Sequence, residues 1–204
     1  MKKTIVAALV TFLIGCAAGP RDMAVQPKGE FASIDTSTSI ATIKSIQAND
    51  AATIDSVVSS PGKFAPPVLY ALSSALFDPG KKREAMFWFY AGQLRARSDA
   101  NKSLDPSAKQ AMTVLNDQYG PKINKFAFTD IENLKKTIND VIEWDKKTER
   151  SYDARWIALH GMDSLTESKV RFAPPSQWEE IDTKTRDDYL NGFKQALQTM
   201  KQQG

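Results

Sequence analysis

The amino-acid sequence predicts an all-α protein, and three observations carry that reading. Apolar residues recur at spacings of three and four over most of the chain. Proline, glycine and capping residues divide those stretches into pieces of helical length. The one strand candidate, Lys169 to Phe172, is only four residues long.

From Ala17 to about Thr42 the chain is rich in Gly, Pro, Ser and Thr with little periodicity, so a flexible tether is expected there. Asn49 or Asp50 then caps a short helix through Ile54, Val57 and Val58, stopped by Pro61-Gly62. Pro66-Pro67 opens the next, because proline suits the first turn of a helix. Leu69, Leu72, Leu76 and Phe77 mark its buried side, and Asp78-Pro79-Gly80 is a turn. A helix follows from about Lys81 to Ser98. Asp105-Pro106 starts another that ends at Gly120-Pro121. Thr129-Asp130-Ile131-Glu132 matches a capping box and predicts a helix burying Ile131, Leu134, Ile138, Val141, Ile142 and Trp144. Tyr152 to His160 reads as a short helix stopped by Gly161. After Pro174-Pro175 the last helix carries Trp178, Ile181, Tyr189, Phe193, Leu197 and Met200 at helical spacing. Residues 43–204 are therefore expected to form a single irregular all-helical domain.

The N-terminus has a different logic. Lys2 and Lys3 precede an apolar run from Thr4 to Ile14. Eleven residues make roughly 16 Å of helix, too short for a bilayer core that needs about 20 residues. This is the layout of a secretory signal. Leu13-Ile14-Gly15-Cys16 further resembles the lipobox of bacterial lipoproteins. The resemblance implies that residues 1–15 are removed, that Cys16 becomes the acylated first residue, and that residues 16–42 form a lipidated tether. Three acyl chains exceed the two signals that stable membrane attachment needs. Ala17 rather than Asp follows the cysteine, which in proteobacterial lipoproteins implies the outer membrane, periplasmic face. Cys16 is the sole cysteine, so no disulfide is expected.

Charge narrows the function classes. Of 27 basic and 24 acidic residues, removal of residues 1–15 takes away only Lys2 and Lys3, leaving a near-neutral body. Lys81-Lys82-Arg83 and Lys135-Lys136 sit beside acids, so no basic face for nucleic acid is expected.

Residues 69–97 resemble one tetratricopeptide-type helix–turn–helix. Leu72, Ser73 and Leu76 fill its first-helix positions, Gly80 its turn, and Ala85, Phe89 and Gly92 its small–aromatic–small positions. Leu69 replaces the usual tryptophan and Arg97 the terminal proline, and no second copy is visible. Met86 to Tyr90 cover every face of a helix, which implies either a central core helix or one covered by a partner. The stretch Glu84 to Arg95 is also similar to a segment of small helical lipoproteins that serve as immunity partners of antibacterial effectors, including phospholipases of type VI secretion.

Candidate catalytic groups are few. His160 is the only histidine, and no Gly-x-Ser-x-Gly elbow, phosphate loop or dinucleotide fingerprint occurs. A zinc site needs three or four ligands, which one His and a lipidated Cys do not supply. No enzyme activity, metal or cofactor is expected. The reading is a lipid-anchored immunity protein that occludes a secreted effector, possibly a phospholipase, using Trp88, Tyr90, Arg95, Arg97, Trp156 and Trp178 as contact residues. The alternative is an envelope-assembly or pilot lipoprotein that holds a secretion or outer-membrane component.

Overall fold

A computed structural model describes residues 27–203. Cys16, the signal 1–15 and the first part of the tether lie outside the described residues. The fold is all-α, with helices α1 (Ser37–Gln47), α2 (Ala51–Ser59), α3 (Pro66–Phe77), α4 (Lys82–Lys102), α5 (Gln110–Ala127), α6 (Ile131–Lys147), α7 (Asp163–Thr166) and α8 (Trp178–Gln203). Among the described residues, five 3-10 segments link or precede them, including Gly29–Ser33 and Ala154–His160.

The organising unit is the α3–α4 hairpin. Gly80, at φ 97°, supplies the left-handed turn residue that other side chains adopt at a cost. Across the hairpin a Cβ on Gly92 would lie 3.1 Å from Tyr70 Cδ2 and 3.3 Å from Leu69 Cβ. The small residue is what lets the two backbones approach. Phe89 fills the space beside it, edge-to-face on Tyr70 with ring centres 5.3 Å apart. The antiparallel hairpin expected from the sequence is present.

Helix α4 is the axis of the molecule and packs on α3, α5, α6 and α8. Met86, Trp88, Phe89 and Tyr90 are all buried, so the all-round apolar stretch is a central core helix rather than a partner-covered face.

Several features differ from expectation, each for a physical reason. The ordered body begins well before residue 43. Gly29, at φ 57°, turns the chain so that Phe31 and Ile34 bury against Ala158, and α1 starts at Ser37. Helix α5 does not end at Gly120-Pro121 but runs to Ala127, with Pro121 inside it and exposed. The further turns bury Ile123 and Ala127, which outweighs the one backbone hydrogen bond that proline forfeits. Helix α6 is capped by Asp130, whose carboxylate accepts from Asn133 N at 3.0 Å, while the Thr129 hydroxyl turns back to Phe126 O. At the strand candidate, only one antiparallel bridge, Ser103 with Phe172, forms. Residue Met200, placed on the apolar face of the last helix, is exposed.

Candidate binding surface

The six predicted contact residues divide into two groups. Trp88, Tyr90, Arg95 and Trp156 are buried, so the reading of these four as surface contacts is corrected: they hold the core. Trp88 packs edge-to-face on Phe87 and Trp144. Tyr90 donates to Asn124 Oδ1 at 3.0 Å, and burial pushes its hydroxyl pKa up to about 12. Arg97 and Trp178 are half-buried. Arg97 lies over the Tyr189 ring at 5.2 Å, and Trp178 donates to Ala173 O at 2.7 Å beneath the Lys102 ammonium.

Arg95 belongs to a buried ionic cluster that joins α4, α6, α8 and the segment after α6. Asp145 accepts from Arg95 Nε at 2.9 Å through one oxygen and from Arg150 Nη2 at 2.7 Å through the other. Arg150 also reaches Asp182 at 2.8 Å, and Lys102 reaches the same Asp182 oxygen at 2.7 Å. Deepest lies Asp99, which accepts from Trp156 Nε1 at 2.9 Å and from the Tyr152 hydroxyl at 3.1 Å. Burial raises the pKa of Asp99, against the opposing pull of Lys102 and Arg150. Burial acts in the same sense on Asp145, but Arg150 and Arg95 outweigh it and hold that carboxyl below its usual range. Arg95 Nη1 and Asp99 Oδ1 have no hydrogen-bond partner. Over this cluster opens a polar cavity of about 390 Å³, with Lys102, Arg150, Trp178 and Arg186 in its wall.

A second cavity, of about 470 Å³, is apolar. It is a groove with α1 on one side, through Ile40 and Ile43, and α5 on the other, through Ala111, Val114 and Leu115. Ala65 and Pro67 at the start of α3, together with Trp156 and His160, also line it. His160 sits edge-to-face against Trp156, ring centres 5.7 Å apart, and withdrawal from water lowers its pKa. Ile40 and Val114 are both more than half exposed on the groove walls.

A third feature is a polar hub on segments that carry three exposed apolar residues. Asp105 Oδ1 accepts from Ser107 N at 2.9 Å, and its Oδ2 accepts from Asp163 N at 2.9 Å. Met162 N donates to Ser107 Oγ at 2.8 Å. Gly161 is required beneath this hub, because a Cβ there would collide with the Asp105 carboxylate. The hub fixes Leu104 and Met162 on adjoining segments with Leu165 one turn of α7 further on, and all three side chains are more than half exposed. Sequence reasoning missed both these residues and the groove. Leu104, Met162 and Leu165 fall between the periodic stretches that carried the helix reading.

Neither a family model, nor a curated protein, nor a solved structure matches this chain. Among the described residues, no group of three His, Cys, Asp or Glu could hold a metal ion, and no helix is long and apolar enough to cross a membrane.

Proposed function

We propose that the protein is a lipid-anchored immunity protein on the periplasmic face of the outer membrane, binding and occluding a secreted antibacterial effector of the phospholipase class. The observation that carries the binding role is the exposure of Leu104, Met162 and Leu165 on segments tied together by the Asp105 hub. Single exposed apolar residues need no explanation, whereas three on segments tied to one hub match the apolar centre of a protein interface. A stable complex would bury about 1,600 Å² in all, so these residues would form the middle of a larger contact. Acylation at Cys16 would concentrate the inhibitor beside the membrane that such an effector attacks. Occlusion is then stoichiometric and asks no chemistry of the chain.

The hairpin as the holding surface of an assembly or pilot lipoprotein has less support. Its facing residues Leu69, Tyr70 and Phe89 are spent inside the body.

The test is competition between sister cells. Deleting the gene is expected to sensitise cells to effector-armed siblings, and the intact chain to restore protection. A variant carrying Leu104→Glu, Met162→Glu and Leu165→Glu is expected to accumulate and fold normally yet fail to protect. Deletion cells that compete normally against armed siblings would sink the immunity reading.

A further inference from the structure

We infer that the groove between α1 and α5 shelters one acyl chain of the protein's own lipidated Cys16 whenever the protein is out of the bilayer. The inference rests on the lipidation reading above. Three observations support it.

The first is the chemistry of the groove. Its walls are Ile40, Ile43, Val114 and Leu115, and His160 is the only residue with an ionisable side chain among those lining it. Withdrawal from water disfavours the charged form of that imidazole. A volume of about 470 Å³ falls within the range of small-molecule sites. From Gln110 to Gln118 the α5 wall runs about 12 Å. That is too short to seat a helix of several turns, while a narrow flexible hydrocarbon can lie along it.

The second is where the chain enters. The described residues begin at Pro27, and the Gly29–Ser33 segment is fastened through Glu30 N to Ser168 O at 2.8 Å. Phe31 and Ile34 pack on Ala158, two residues from His160, and Thr36, just after them, is already in the groove wall.

The third is reach. Ten residues lie between Cys16 and Pro27, and the eleven steps from one to the other span about 36–40 Å fully extended, three times the groove's length. A link of so few residues gives the acyl chain an effective concentration on the order of millimolar at the groove. In water the chain gains by burial there. In a bilayer it gains nothing by the exchange, since both surroundings are apolar. The groove therefore fills in the aqueous phase and empties on membrane insertion.

The experiment feeds cells a fatty acid bearing a photoreactive diazirine, so that the purified full-length protein carries it on Cys16. The mass of the N-terminal peptide reports acylation directly. Irradiated in detergent-free buffer, the protein is expected to cross-link within one chain, to peptides containing residues 36–43 and 110–118. Irradiated in phosphatidylethanolamine–phosphatidylglycerol vesicles, it is expected to cross-link to lipid instead. Val114→Glu, at an exposed helical position, is expected to cut the intramolecular cross-link severalfold without altering the circular dichroism spectrum. Acylated protein whose cross-links in buffer scatter over the surface, or run only between chains, overturns the sheltering and leaves the anchoring intact. An unmodified N-terminal mass overturns the anchoring itself, and the sheltering with it.

Discussion

Asp145 and Arg95 lie fifty positions apart in the chain, yet Arg95 Nε donates to Asp145 Oδ1 at 2.9 Å with both side chains completely removed from solvent. The guanidinium is also stacked on Trp144, 4.2 Å from its ring centre. Asp145 serves Arg150 and Arg186 as well, at 2.7 and 3.3 Å. The two partners are thus unequal. Removing Asp145 takes from Arg95 its one carboxylate partner among the described residues and leaves Arg150 with Asp182 and Arg186 with Glu179, whereas removing Arg95 leaves the carboxylate two cations. Asp145→Ala is expected to destabilise the fold by about 3–5 kcal/mol in urea titration, and Arg95→Met by clearly less. Equal losses would show that the cluster does not centre on Asp145.

Two glycines in helices should respond in opposite senses. Gly92 faces Tyr70 and Leu69, which are wholly buried and have nowhere to go. Gly92→Val is expected to cost about 1–3 kcal/mol by overpacking the hairpin. Gly192 lies within α8 with nothing near the position of a Cβ. Gly192→Ala is expected to stabilise by about 0.5–1 kcal/mol, because it removes unfolded-state freedom without a clash. Thermal melts of the two variants check both signs.

Asp99 makes stability depend on pH in a sense opposite to the usual carboxylate. Burial raises its folded-state pKa, so the folded protein holds that proton more tightly than the unfolded chain does. The resulting stability is fully present below the ordinary carboxyl pKa and is lost as pH rises through the folded value. Asn at this position can still accept from Trp156 and Tyr152 and carries no charge. Measured against Asp99→Asn, the natural chain is expected to lose ground over the interval in which pH rises from the ordinary carboxyl value to the raised folded one. A difference that stays constant over that interval refutes the assignment.

His160 contributes with the other sign. Its pKa is lowered in the folded state, so the unfolded chain takes up a proton first as pH falls. Stability is intact above about pH 6.5, the ordinary imidazole value, and declines as pH drops from there toward the folded value. Chemical denaturation at a series of pH values should show that slope, and His160→Gln should flatten it.

The helices were legible because their evidence is local. Pro66-Pro67, Asp130 and Gly161 act within a turn of themselves, and each marks a boundary within a residue or two of where the structure places it. Local evidence also misled. Pro121 reads as a terminator, but the burial of Ile123 beyond it is a tertiary fact. Helix α1 was hidden because Ile40, Ile43 and Ile46 are spaced among Ser and Thr that resemble a linker. Arg95 and Trp156 could not be told from surface residues, since the aspartates that receive them, Asp145 and Asp99, lie fifty or more positions away. The groove depends on α1 and α5 standing apart over the start of α3, a relation that no sequence window contains.

The fastening of the N-terminal segment has a mechanical consequence. Glu30 N donates to Ser168 O at 2.8 Å, Val170 N donates to the Glu30 carboxylate at 2.9 Å, and Gly29 presses so closely on Ser168 that no side chain fits between. Any tension arriving from residues before Pro27 is therefore received by this clasp and passed to the opposite half of the polypeptide, bypassing α1. The load spreads through the segment that leads into α8, and the first helix is spared from being peeled away.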